Sequence, residues 1–143
     1  MEIKRTILVL HSATDMYELV HDVASYPNFL SWCLDARVLD QTGEIQVASL
    51  DVAIAGINQS FTTRNLLAPG KSLTMELERG PFRQLEGQWQ FEPLGKLGSK
   101  VSLGLTFDFA SSLLSSAFRR GFAKVADQLV YDFSRRADEV YGD

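Results

Sequence analysis

The sequence predicts an α+β fold in which one curved antiparallel sheet wraps around a long C-terminal helix, with two short helices after the first strand. Three observations predict it. Between Leu34 and Phe109 apolar residues recur at every second position, and Gly or Pro punctuates the run at Gly43, Gly56, Pro69–Gly70, Gly80–Pro81, Gly95 and Gly98, the pattern of a strand meander. After Phe109 the apolar period becomes helical, through Leu114, Phe118, Phe122, Val125, Leu129, Phe133 and Val140. Finally, 143 residues with 45% hydrophobic content fit a single domain, residues 1–143, with a core that needs neither disulfides nor metal.

The elements follow in order. EIKRTILVLH reads as the first strand, and Ser12 with Asp15 three residues later resembles a capping box that opens a helix running to about Ala24. Pro27 stops that helix, and PNFLSW is long enough for one further short turn. The cleanest alternation lies in Leu73, Met75 and Leu77, in Leu85, Gly87, Trp89 and Phe91, and in Val101, Leu103, Leu105, Phe107 and Phe109, so each of these strands has one dry face. One hairpin is specific enough to register. With Gly56 and Ile57 as the central turn residues, Val52 stands opposite Phe61, Leu50 opposite Thr63 and Ala48 opposite Asn65 on the dry face. On the wet face Asp51 is then diagonal to Arg64 and within reach of an ion pair. Ser111 or Ser112 caps the last helix, whose roughly 28 residues give ~42 Å at 1.5 Å per residue, comparable to the width of the domain.

A helix is ~10 Å across, whereas six or seven strands at ~4.8 Å spacing span ~30 Å, so a flat sheet would leave apolar surface wet. The sheet must curl, and a curled sheet diverges from its helix to leave a cleft. The inner wall of that cleft carries Val52, Phe61, Leu77, Trp89, Phe91 and Phe107, and the helix contributes Phe118 and Phe122. The connecting segment YPNFLSWC places Phe29, Leu30 and Trp32 where loops usually meet solvent, which makes it the lid over the mouth. Any one of these aromatics could instead be ordinary core packing.

Charge and chemistry exclude several classes. With a net charge of −4 there is no global positive field to recruit DNA or an anionic membrane, and no apolar run approaches the ~20 residues that cross a bilayer, so any membrane contact is peripheral and the expected location cytoplasmic. His11 and His21 have no Glu or Cys at a ligand spacing, which speaks against a metal site. The lone Cys33 has no evident base beside it, and no convergent acid–base pair is visible, so the expectation is a protein that is not an enzyme and needs no cofactor.

FTTRNLL, GPFRQLEGQWQFEPL and YPNFLSWC resemble the coenzyme Q-binding START-type family of the helix-grip (START/Bet v-like, polyketide cyclase-like) superfamily, including its ribosome-association toxin branch, over essentially the whole chain. The resemblance implies ubiquinone or another lipid held in the central cavity, in support of respiration. For the toxin branch it implies association with the large ribosomal subunit that blocks subunit joining. Thr63 and Asn65, polar on the dry face, need a partner, which a quinone carbonyl, a neighbouring group or a buried water could each supply. Arg119, Arg120 and Lys124, with Arg135 and Arg136 further on, form a basic side of the last helix that is either a solvated face or a set of phosphate contacts for the ribosome. The sequence reading ranks lipid binding first and ribosome association second.

Overall fold

Each glycine-marked break in the alternation is a turn between neighbouring strands, so chain order becomes sheet order. The computed structural model describes residues 1–111 and 114–142, and Ser112 lies outside them. The strands are β1 (Glu2–Val9), β2 (Cys33–Thr42), β3 (Ile45–Ile54), β4 (Ile57–Ala68), β5 (Ser72–Arg79), β6 (Phe82–Leu94) and β7 (Gly98–Phe109). They form one curved antiparallel sheet ordered β1-β7-β6-β5-β4-β3-β2, in which β2 to β7 pair consecutively and β1 returns to pair with β7. Helix α1 (Ala13–His21), a 3-10 helix at Val23–Asn28 and the long α2 (Ser116–Tyr141) complete the predicted plan.

Ser12 caps α1 as expected, its hydroxyl accepting from the Asp15 amide at 3.0 Å. The helix ends at His21, earlier than residue 24, because the chain tightens into the 3-10 helix, and the further turn expected over PNFLSW lies instead at Val23–Asn28, with Pro27 inside it. A proline fits there because its fixed φ matches helical backbone. The Tyr26 hydroxyl then donates to the Val20 carbonyl at 2.5 Å, covering one of the open carbonyls of α1.

The β3–β4 hairpin departs from the expected register by one residue per strand. Its turn residues are Ala55 and Gly56, both at positive φ (53° and 78°), so Ile54 pairs with Ile57, Leu50 with Phe61, Ala48 with Thr63 and Gln46 with Asn65. This is a turn with left-handed backbone at both central positions, matched to the twist of the strands; Ala55 accepts an unfavourable conformation while Ile54 packs under α2. The assignment of faces is unaffected, since the slip moves both strands together. On the wet face Asp51 pairs with Arg37 of β2 at 3.1 Å and accepts from Ser60 at 2.6 Å, while Arg64 stands opposite Val47. The expected Asp51–Arg64 pair is thus replaced by one with a strand whose position the hairpin alone could not reveal.

Ser115, not Ser111, caps α2, accepting from the Phe118 amide at 3.1 Å, so Leu114 precedes the helix. The buried stripe is Phe118, Phe122, Ala126, Val130, Phe133 and Ala137, whereas Val140 is 48% exposed. The alanines went unnoticed as core residues, yet small side chains are what let a helix lie close to a sheet. Gly121 marks a close approach to β3: a Cβ there would meet Ile54 Cγ2 at 2.5 Å. At its far end α2 is held by His11 Nε2 against Asp138 Oδ1 at 2.7 Å and by Tyr141, whose hydroxyl donates to the Asp15 carbonyl at 3.2 Å. Arg5 of β1 pairs with Asp127 on the same helix.

Candidate functional site

The sheet and α2 pack through two apolar clusters rather than one continuous core. One gathers β1, β6 and β7 with α1 and the distal half of α2 around Phe133. The other gathers β3, β4, β6 and β7 around Phe122 and Phe118. Between them lies a cavity of about 100 Å³ lined on the sheet side by Ala48, Leu50, Phe61, Thr63, Asn65, Leu73, Met75, Leu85, Trp89 and Leu105. The helix contributes Phe122, Val125, Ala126, Leu129 and Phe133, and the lid Val23, Tyr26 and Trp32. Gly87 keeps the floor open, since a Cβ there would press on Leu105 Cδ1 at 2.8 Å and Met75 Cε at 3.0 Å. An apolar cavity of ~150 Å³ takes up one benzene ring, so this space, about two thirds of that, holds a short length of hydrocarbon as it stands and a ring once the lid side chains shift outward.

Of the side chains read from the sequence as cavity wall, Trp32, Phe61, Thr63, Asn65, Trp89 and Phe122 line it. The others do not. Phe91 stacks on Trp89 at 6.2 Å and meets Tyr17 of α1 at 5.8 Å, which places it beneath α1. Phe107 and Phe118 are fully buried in the cluster around Phe122, Val52 lies in that cluster, and Leu77 packs on its edge. Leu30 is buried in the Phe133 cluster. Phe29 sits on the outer side of the lid, edge-on to Phe133 at 5.2 Å and under the Arg136 guanidinium at 5.1 Å. Alternation identifies which residues face inward but not where sheet and helix separate. Leu50, Met75, Val125 and Leu129 were missed as wall residues, although their inward register or helical spacing carried the signal for each.

The polar groups of the wall are few and mostly committed. Thr63 Oγ1 donates to Asn65 Oδ1 at 3.0 Å, Asn65 Nδ2 to Gln46 Oε1 at 3.0 Å, and Gln46 Nε2 to the His21 carbonyl at 3.1 Å. Neighbouring groups are therefore the partners that Thr63 and Asn65 required. Burial pushes the Tyr26 hydroxyl far above its usual range, with the nearby Cys33 and Asp22 adding to the shift. The Trp32 indole Nε1 is buried and has no hydrogen-bond partner among the described residues. No Asp, Glu, His, Lys or Arg lines the cavity among the described residues, so its wall holds no acid–base pair.

Cys33 lies below the lid, and burial pushes its thiol up to about 11, with the nearby Asp35 adding to the shift. A raised folded-state pKa stabilises the neutral thiol, so this contribution is fully present below the ordinary thiol range and is lost as pH climbs through the folded value. Native protein at pH 8 should resist iodoacetamide and react fully in urea. Rapid alkylation of the folded chain would show that the thiol is reachable and ionised.

A second hollow, about 600 Å³, lies outside the lid between α1, the 3-10 helix, β2 and the end of α2, with Glu18, His21, Asp22 and Arg136 in its wall. It is larger, but its charged lining suits water rather than an apolar ligand. The five cations of α2 separate into two kinds. Arg135 pairs with Asp132 at 2.7 Å and Arg136 with Glu139 at 3.5 Å. Arg119 donates to the Ser111 carbonyl at 2.7 Å and lies over Phe109 at 5.7 Å, which ties it to the fold. Arg120 and Lys124 are exposed and make no ion pair among the described residues.

No helix among the described residues is long and apolar enough to cross a membrane. A family model described as polyketide cyclase / dehydrase and lipid transport matches residues 9–134. A protein of Vibrio cholerae named ribosome association toxin RatA is 45% identical over 99% of this chain and 99% of its own. The mitochondrial coenzyme Q-binding protein COQ10 homolog B of Xenopus laevis is 29% identical over 92% of this chain and 55% of its own. Among solved structures, the ZhuI aromatase/cyclase of Streptomyces sp. R1128 superposes with a TM-score of 0.79 at 18% identity, covering 99% of this chain and 98% of that one, a likeness of fold.

Proposed function

Because this chain belongs to the polyketide cyclase / dehydrase and lipid transport family, we propose that it holds a hydrophobic small molecule between sheet and helix without covalent chemistry, and that it associates with the ribosome. The cavity carries the first part: it is apolar, about 100 Å³ in volume, bordered by a lid, and without a convergent acid–base pair among the described residues. A prenylated quinone such as ubiquinone or a similar lipid has the right character, and the COQ10 relative's name supports that class. With room for about 100 Å³, only a ring or the first part of a tail enters. Each buried CH₂ contributes ~0.8 kcal/mol at most, so affinity should rise with the first isoprene unit and level off once the cavity is full. Both tryptophans of the chain line the cavity, so quenching of their fluorescence by quinones of increasing tail length reads this directly. Affinity that ignores the tail would mean binding elsewhere. Organic extraction of purified protein and mass spectrometry identifies the resident molecule.

The second part rests on the full-length likeness to a named ribosome association toxin, which raises ribosome association from second place to stand beside lipid binding. The surface that fits is the exposed Arg120 and Lys124 on α2, remote in chemistry from the cavity wall. Arg120→Glu with Lys124→Glu should weaken co-sedimentation with large ribosomal subunits and make its salt dependence shallower by roughly two phosphate contacts. Quinone quenching should be unchanged. Co-sedimentation equal to wild type across a salt series would exclude this face. Arg119, bonded to Ser111, is the wrong residue for that test, because its loss disturbs the entry to α2.

A further inference from the structure

The three hydrogen bonds at the polar end of the cavity have a fixed direction. A backbone carbonyl has no proton to give, so Gln46 must turn Nε2 towards the His21 oxygen, which leaves Oε1 facing Asn65. Asn65 must then present Nδ2 to Gln46, which leaves Oδ1 facing Thr63. Thr63 must donate. Reversing either amide would set oxygen against oxygen, so the network itself assigns both orientations. All three residues are buried, at 1% exposure for Gln46, 3% for Asn65 and 8% for Thr63, so water does not offer them an easy alternative.

Thr63 and Asn65 line the cavity. The one proton of the Thr63 hydroxyl is spent on Asn65, so towards a ligand Oγ1 is an acceptor, and donating makes it a better one. On the donor side the lining residues carry the second N–H of Asn65 Nδ2 and the buried Trp32 Nε1, which has no partner among the described residues. A hydroxyl answers both kinds: it gives its proton to Thr63 and keeps lone pairs for the N–H groups. A carbonyl or ether answers only the donors and sets its oxygen against that of Thr63. Resting on the reading of this cavity as the ligand site, we propose that it selects hydrophobes headed by a hydroxyl, such as phenols and quinols, over those whose polar end only accepts, such as ketones and quinones, and that Thr63 Oγ1 makes the selection.

The test compares a 4-alkylphenol, its O-methyl ether, the alkyl phenyl ketone and the plain alkylbenzene of the same chain length, by tryptophan fluorescence and calorimetry. In the wild type the phenol should bind about five- to tenfold more tightly than the methyl ether, the span of one net hydrogen bond. Thr63→Val should weaken the phenol by a similar factor and leave the ketone within twofold, while Thr63→Ser, which keeps the hydroxyl, should restore the preference. Equal response of phenol and ketone to Thr63→Val, or loss of the ketone alone, would overturn the proposal, as would a methyl ether equal to the phenol in the wild type, a comparison that needs no variant. If the alkylbenzene binds while phenol and ether do not differ, the cavity reading stands and the selection falls. If neither alkylbenzene nor phenol binds, both fall.

Discussion

Val52→Asp is expected to cost more than ~4 kcal/mol, whereas Ala53→Asp one residue along should cost about 1 kcal/mol. Val52 is 1% exposed, faces α2 and packs in the cluster around Phe122. A carboxylate there has no cation or donor within the apolar cluster and must either stay charged in a dry site or take up a proton. Domains of this size are stable by only ~5–15 kcal/mol, so one such group consumes much of the margin. Ala53 is on the opposite face, paired across the turn with Asn58 and half-buried, where a carboxylate remains hydrated. Urea unfolding followed by circular dichroism measures both. Equal losses would mean that the two faces of β3 have been exchanged.

Phe133→Ala should cost ~3–5 kcal/mol, because this buried ring joins the lid, the sheet and α2 at one point. It is 1% exposed and meets Tyr26 at 5.4 Å, Phe29 at 5.2 Å and Trp89 at 5.2 Å, all nearly edge-on, an arrangement that adds ~0.5–1.5 kcal/mol per pair beyond burial. Tyr26 and Phe29 belong to the lid, Trp89 to the sheet and Phe133 to α2, so the truncation loosens the lid and enlarges the cavity at once. Benzene at saturating concentration should therefore raise the melting temperature of the variant more than that of the wild type, since binding to the folded state alone adds stability by mass action. A variant as stable as wild type, or one that gains nothing from benzene, would show that Phe133 neither anchors the lid nor bounds the cavity.

The sequence made the alternation of β5, β6 and β7 legible because each has polar outward partners, and the register found, Leu73 opposite Trp89 and Trp89 opposite Leu103, joins those inward sets. The long helix was legible from its large residues, but its true stripe runs through Ala126 and Ala137, which carry too little hydrophobicity to announce a face. The hairpin turn was misplaced by one residue because Ala55 takes a left-handed conformation that alanine seldom adopts. That small error hid more than itself. In the expected register Gln46 stands opposite Leu67, while in the observed one it stands opposite Asn65, so the buried chain of amides was out of reach of the sequence reading. The cavity was anticipated from the mismatch between sheet width and helix width, but its walls were set by where two clusters part, and that depends on the whole curvature.

The pairing of β1 with β7 joins Ile3 to Leu105 and Val9 to Ser99, contacts about a hundred positions apart, and α2 comes later still in the chain. During synthesis the strands β2 to β6 can form consecutive hairpins as they emerge, but the sheet cannot gain its β1 edge until β7 is made, and its concave apolar face has no cover until α2 follows. Loop closure over such separations is slow relative to local pairing, so a ribosome-bound chain passes through a stage with its future cavity open and sticky, the condition in which chaperones are recruited and aggregation begins. Acquisition of the native state is thus gated by the translation of α2, and a chain released before that helix is complete would expose the surface that it covers.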